Sequence, residues 1–276
     1  MRKKLSWGKL VMTLVLGAFV ITMLFPLLWM ISTSFKLEVD VFKFPIQWIP
    51  PTWNFDNYKE VWTGGYNFPL YYLNTIKVTL LVVVIQMVIC SMGAYAFAKL
   101  NFTGKNLLFA AFLATMMIPD QVTIVPKFMM LKWLRLLDTH TGLVAILSFS
   151  VYGVFLLRQY MVSVPDSLVE AAKIDGASHF TIFTRIMIPM SKPVLSTLLI
   201  LRFVWTWNDY QNPLIFLNDK TLYTLQQGMS QFASESGTYY ALMMAASVCA
   251  IMPLLIVFIV GQKSIIEGMT AGAVKG

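Results

Sequence analysis

Charge is scarce in this chain. Of 276 residues only 12% are Asp, Glu, Lys or Arg, and the acidic ones number 13. With 58% hydrophobic residues and a mean hydropathy of +0.69, no soluble domain of this length has interior enough to hide the apolar side chains. The solvent for most of the chain must be lipid. Histidine and cysteine are equally sparse, at two each. Cys90 and Cys249 both sit inside apolar stretches, so neither a disulfide framework nor a metal centre is expected. No G-x-x-x-x-G-K-[ST] phosphate loop occurs, which excludes ATP binding by that route. The formal charge of +8 comes without a dense Lys/Arg patch interleaved with aromatics, and a positive-inside bias explains it better than nucleic-acid binding does.

Six apolar stretches are present, at about 10–31, 72–98, 105–125, 141–161, 193–217 and 241–262. Each approaches the roughly 20 residues a helix needs to cross about 30 Å of hydrocarbon. The fold class expected is therefore all-α, a polytopic membrane protein forming a single transmembrane domain over residues 1–276. The first stretch follows Arg2, Lys3, Lys4 and Lys9 but is too long for a signal h-region and lacks a small-x-small cleavage pattern, so it is expected to remain as an anchor, kinked at Pro26. The third is interrupted by Pro119-Asp120 and is expected to end or bend there. Six spans place both termini on one side, and the N-terminal basic cluster puts that side in the cytoplasm. Trp48, Trp53, Trp62, Tyr71 and Tyr72 in and around the first external loop suit an interfacial aromatic belt, or contact with an external partner.

Between the fourth and fifth spans lies a loop, 162–192, containing Glu170-Ala171-Ala172-Lys173-Ile174-Asp175-Gly176 and later Ile188-Pro189. Ser167 and Glu170 have capping-box spacing. Leu168, Ala171 and Ala172 share a helical face, and the small Ala side chains permit close approach of another protein. Gly176 suits a helix end in left-handed conformation, and Ser178 is placed to cap a second helix carrying Phe180, Phe183 and Met187 on one face. An amphipathic helix lying on lipid is the alternative. Against it, the segment lacks a broad basic-edged apolar stripe, and Glu170 and Asp175 sit poorly on an anionic leaflet.

This E-A-A, three residues, G pattern resembles the cytoplasmic loop of bacterial ABC-importer permeases. Three further motifs carry the same likeness: Phe203-Val204-Trp205-Thr206-Trp207-Asn208-Asp209-Tyr210 with Pro213-Leu214-Ile215; Met117-Ile118-Pro119 with Gln121-Val122 and Pro126; and the tail Gly268 to Gly276. Together they cover nearly the whole chain and resemble carbohydrate permeases of the maltose type, specifically their second membrane subunit. The resemblance implies an ABC type I importer fold in the bacterial inner membrane. It implies a heterodimer with a second permease, two ATP-binding-cassette ATPases that hold ATP and Mg, and an extracytoplasmic solute-binding protein. Ser167, Glu170, Ala171, Ala172, Asp175 and Gly176 would then form the coupling helix seated in an ATPase cleft, and Thr270, Ala271 and Gly272 would reach toward the ATPase dimer interface. No cofactor or catalytic residue is expected in this chain.

Arg202 falls in the fifth span, where an Arg costs about 2.5–3.5 kcal/mol on insertion scales and should face protein or a watery cavity. It stands where the family commonly has an uncharged residue, and Gln211-Asn212 replaces a common Leu-Trp. Arg202 pairs with the partner permease or with backbone carbonyls, meets a polar or acidic solute, or snorkels to the helix end. Trp205, Trp207, Asn208, Asp209 and Tyr210 supply flat apolar faces and planar polar groups of the kind sugars need, although helix packing and interfacial anchoring use the same residues. In the maltose type the membrane-embedded sugar site belongs mainly to the other permease. The cargo expected is a sugar or oligosaccharide; glycerol phosphate, a polyamine or a uronate oligomer fit the same architecture, with Arg202 leaning toward an anion. A secondary transporter would want ion-coupling acids or inverted repeats, and an enzyme would want paired acids or an activated nucleophile; the sequence offers neither.

Overall fold

The computed structural model describes residues 7–234 and 237–273. The basic residues Arg2, Lys3 and Lys4 and the final Val274, Lys275 and Gly276 lie outside the described residues. The helices are α1 (Trp7–Ser34), α2 (Asp56–Thr63), α3 (Phe68–Lys99), α4 (Lys105–Ala114), α5 (Asp120–Trp133), α6 (His140–Leu147), α7 (Val151–Ser163), α8 (Asp166–Ile174), α9 (His179–Ile182), α10 (Ile188–Met190), α11 (Lys192–Trp207), α12 (Gln211–Phe216), α13 (Leu225–Gly228) and α14 (Tyr240–Ala273). Among the described residues the extended pairing is one two-residue antiparallel ladder, Ala233–Ser234 with Gly237–Thr238. The fold is all-helical, as expected.

Three helices, α1, α3 and α14, are long and apolar enough to cross a membrane; bent helix pairs bring the number of spans to as many as six. The bends have local causes. Ile118 is extended (φ −83°, ψ 117°), the conformation a following proline favours, and the helices on either side of Pro119 diverge by 103°. The stretch read as one span at 141–161 is two helices bent by 43°, because the Ser150 hydroxyl accepts the Gly153 N–H at 3.1 Å and starts a new helix. The stretch read as 193–217 stops being helical at Trp207. There Asn208 Nδ2 donates to the Val204 carbonyl alongside the Asn208 backbone N–H, while the Asp209 carboxylate takes both the backbone N–H and Nδ2 of Asn212, so a side chain replaces the backbone partner of Asn212.

The chain divides into two compact units. One gathers the residues up to Pro69 with Gly228–Met252. In it, Asn57 Nδ2 bridges the carbonyls of Ser34 and Lys36 at 2.9 and 2.8 Å, and the Glu38 carboxylate caps the start of α14 by accepting from the N–H groups of Tyr240 and Ala241. Trp48 packs edge-on against Phe25 and Trp29, and Trp53 against Phe35, so both rings have local partners besides any interfacial role. The Lys36 side chain is buried over the Trp29 ring, 4.2 Å from its centre, without a hydrogen-bond acceptor for its ammonium among the described residues. Burial pushes its pKa down, against an opposing pull from Asp40.

The other unit holds Leu70–Gln227 and the residues from Pro253 onward, with α3 as its spine. At one end Val78 and Val82 pack with Leu131, Leu143 and Phe216; at the other Cys90, Ala94 and Tyr95 pack with Leu157, Met161 and Leu198. Gly153 permits the second contact. A Cβ there would meet Cys90 Sγ at 2.9 Å and Leu198 Cδ2 at 3.0 Å, so α3, α7 and α11 approach as closely as small residues allow. Asn74 Nδ2 bonds the carbonyls of Thr221 and Tyr223, which ties the fifth loop to α3.

Candidate functional site

The 162–192 loop is a short helix fixed on its inner side and bare on its outer side. Helix α8 begins at Asp166 with Pro165 in the N-cap position. The capping box expected from Ser167 and Glu170 does not form: Ser167 is already helical, and no side chain caps the helix. The pyrrolidine ring fixes φ at Pro165 (−57°) and so sets the boundary two residues earlier than a Ser167 cap would. Asp166 supplies the negative charge favoured in a first turn. Its carboxylate lies 2.6 Å from Lys99 Nζ, which also donates to the Val164 carbonyl at 2.6 Å. Lys99 holds the Asp166 carboxyl below the ordinary carboxylate range by hydrogen bond and by charge. The lysine is only 3% exposed while Asp166 is 78% exposed, so the inner half of this latch is the protected half.

Val169 and Ala172 face inward onto the cluster of Tyr95, Met161 and Ile182. Ala171, Glu170, Lys173 and Asp175 point away from it, and the carboxylates of Glu170 and Asp175 have no partner among the described residues. Thus Ala171 and Ala172, expected on one face, divide between the two. The helix ends in a Schellman arrangement: the Gly176 N–H bonds to the Lys173 carbonyl at 3.0 Å and the Ala177 N–H to the Ala172 carbonyl at 2.9 Å, with Gly176 left-handed at φ +79°. Ser178 caps α9 as expected, its hydroxyl accepting the Thr181 N–H at 3.2 Å. His179 Nδ1 meets the Tyr95 hydroxyl at 3.1 Å, a second tie to α3. After α9 the chain makes a π turn at Phe183–Met187, which shifts the helical register. Met187 is consequently buried while Phe180 is 74% exposed, so the single apolar face expected there does not form. Ile174, 87% exposed, is a second bare apolar side chain in the loop, one that the sequence reading did not single out. Thr270, Ala271 and Gly272 belong to the last turns of α14, whose side chains lie outside the described residues.

A second feature lies where three interrupted helices meet. A cavity of about 270 Å³ is lined by Arg202, Trp205 and Thr206 of α11, by Asp209 and Asn212 just past its end, and by Asp120 at the start of α5. Leu147, the last residue of α6, completes it, and its carbonyl accepts from Arg202 Nη2. Of the six residues expected on a solute pathway, Arg202, Trp205 and Asp209 reach this cavity. Trp207 is buried, stacked on Phe203 and edge-on to Tyr72. Asn208 and Tyr210 are exposed and do not line it.

Residues 88–270 match the family described as binding-protein-dependent transport system inner membrane component. The chain belongs to that family: it is a multi-pass membrane permease subunit of an ABC importer. It is 34% identical to the arabinooligosaccharides transport system permease protein AraQ of Bacillus subtilis, over 92% of this chain and 91% of that one. It is 31% identical to the sn-glycerol-3-phosphate transport system permease protein UgpE of Yersinia pestis, over 91% and 92% of the two chains. Among solved structures, a chain of a bacterial ABC transporter involved in the import of the acidic polysaccharide alginate superposes with a TM-score of 0.86 at 26% identity, covering 94% of this chain and 98% of that one.

Proposed function

We propose that this chain is one of two different permeases in an ATP-driven importer of an oligosaccharide, with both termini cytoplasmic and α8 seated in a cleft of an ATPase subunit. The carrying observation is the two-sided character of α8: its start is latched to α3 through Lys99 and its inner face packs on the apolar cluster around Tyr95, while Ala171, Glu170 and Ile174 are left bare. A helix so built transmits a push without deforming, because displacing it must move α3 and α7 as well. Closure of an ATPase dimer would then rock the spans between inward-open and outward-open states, provided the closed dimer binds the moved state more tightly. The tail from Thr270 to Gly272 is assigned to a second ATPase contact on the family resemblance alone. An extracytoplasmic binding protein delivers the cargo, in keeping with the family to which the chain belongs.

An oligosaccharide is favoured as cargo by the arabinooligosaccharide relative and by the alginate neighbour. Glycerol phosphate is the second reading, favoured by the Yersinia pestis relative. The test is to purify the chain with its co-expressed neighbours, reconstitute the assembly in lipid vesicles and measure ATP hydrolysis with binding protein loaded with each candidate solute. Stimulation by an oligosaccharide is expected. Stimulation by glycerol 3-phosphate alone would replace the cargo, and hydrolysis indifferent to every loaded binding protein would remove the coupling role.

A further inference from the structure

The cavity at Arg202 carries a further reading, which rests on the importer function just proposed. Broken helices inside a bilayer leave backbone groups unpaired, and such breaks are tolerated where they are buried in protein or line a watery cavity. Three of them converge here: the turn at Pro119 before Asp120, the turn after Leu147, and the turn at Asn208–Tyr210. The charges they bring together are not spent on one another. Among the described residues Arg202 uses one nitrogen on the Leu147 carbonyl, its Nε has no partner, and no carboxylate lies within 4.0 Å of the guanidinium. Asp209 is steered by Asn212, with Oδ2 2.8 Å from Asn212 Nδ2, and Asp120 pairs outward with Lys127 at 3.1 Å. One wall of the cavity is the half-exposed ring of Trp205, braced edge-on by Tyr152.

We infer that this cavity is a subsite for one neutral sugar ring of the cargo, supplied by this chain itself and not by its partner permease. The charge pattern selects the class. Arg202 alone would welcome an anion, as the sequence leaned, but Asp209 and Asp120 line the same small space and oppose a carboxylate or phosphate. A cation would meet Arg202. A hydroxyl-bearing neutral ring satisfies both signs at once: its hydroxyl oxygens accept from the guanidinium, its hydroxyl protons go to Asp209, and its C–H face lies on Trp205. The volume, about 270 Å³, lies just under the ~300 Å³ at which pockets for drug-sized ligands begin, so it suits one ring and not a chain of them.

The experiment uses the assembled transporter in nanodiscs with the binding protein omitted, so that only the membrane site reports. Saturation-transfer NMR is recorded with maltose, cellobiose, arabinobiose, digalacturonate and glycerol 3-phosphate as probes. At least one neutral disaccharide is expected to bind, about tenfold more weakly in Asp209→Asn and in Trp205→Ala, with Trp205→Phe restoring most of the signal. Binding of digalacturonate or glycerol 3-phosphate alone, lost in Arg202→Gln, overturns the neutral class. Neutral binding indifferent to Trp205 and Asp209, or binding by no probe, overturns the subsite. Stimulation of ATP hydrolysis by loaded binding protein is read on the same preparation. If it persists while the subsite fails, the importer reading stands alone; if it is absent throughout, both fall.

Discussion

Replacing Lys99 by Met removes the latch under α8 while keeping the length of the side chain. Lys99 Nζ makes two contacts of 2.6 Å, one to the Val164 carbonyl and one to the Asp166 carboxylate, and they are unequal. A hydrogen bond from a charged donor to a buried acceptor contributes about 1.5–3 kcal/mol. The pair with Asp166 is open to water on the acid's side, so it adds only about 0.5 kcal/mol. Loss of the lysine therefore weakens the seating of residues 164–177 by about 2 kcal/mol, which raises their locally opened population about thirtyfold. Asp166→Asn removes the minor contact alone and should raise it by no more than about threefold. Hydrogen exchange read by mass spectrometry on the purified protein measures both. Protection of the α8 amides should fall sharply in Lys99→Met and barely in Asp166→Asn, with α3 and α14 unchanged. Equal protection in wild type and Lys99→Met would refute the latch, and with it the rigid transmission that the latch supports.

Gly176→Ala should cost the loop about 1 kcal/mol through its left-handed backbone and not through a clash, since the space around it is open; Gly176→Asn should cost less, and uptake by the two variants should follow that order. Gly153→Leu has no such freedom, and the wedge between α3 and α11 should lower the melting temperature and the yield of inserted protein. Lys36→Met should raise the melting temperature, by roughly 1 kcal/mol of stability, because the buried ammonium lacks a hydrogen-bond acceptor. The Asp166 carboxyl is held below its ordinary pKa, so its contribution is complete above the unfolded value of ~3.9 and is lost only as pH falls through the lower folded one. Exchange protection of α8, corrected for intrinsic rates, should accordingly be flat from pH 5 to 8.

Much of this architecture was legible because lipid simplifies the problem. Six apolar stretches of the right length are a strong signal, and proline at 119 marks its bend through a local steric preference for extended backbone at Ile118. Gly176 and Ser178 were legible for the same reason, since a left-handed helix end and a hydroxyl cap are local chemistry. The failures share a different cause. At Ser167 two local signals competed, and the proline two residues before won the boundary. At Asp209 and Ser150 side chains took over backbone N–H groups within stretches read as continuous spans, a competition that hydropathy does not register. The π turn moved Met187 and Phe180 to opposite environments because periodicity assumes a constant 3.6 residues per turn. Arg202 was recognised as costly in the fifth span, but of the two acids that decide its meaning only Asp209 is near it in sequence, and Asp120 comes from the start of α5. Only the folded chain places Asp120 beside Asp209.

The central claim is that α8 meets a separate ATPase on its bare face. Ala171→Cys, on that face, and Ala172→Cys, turned half inward, test it most directly when each is expressed with its transport neighbours and treated with a short bismaleimide in inverted membrane vesicles. The account predicts a crosslink from position 171 to an ATP-binding-cassette subunit, weaker or absent from 172, and sensitive to added ATP. Labelling of position 171 by a membrane-impermeant maleimide in intact spheroplasts, or no ATPase captured from either position, would contradict it.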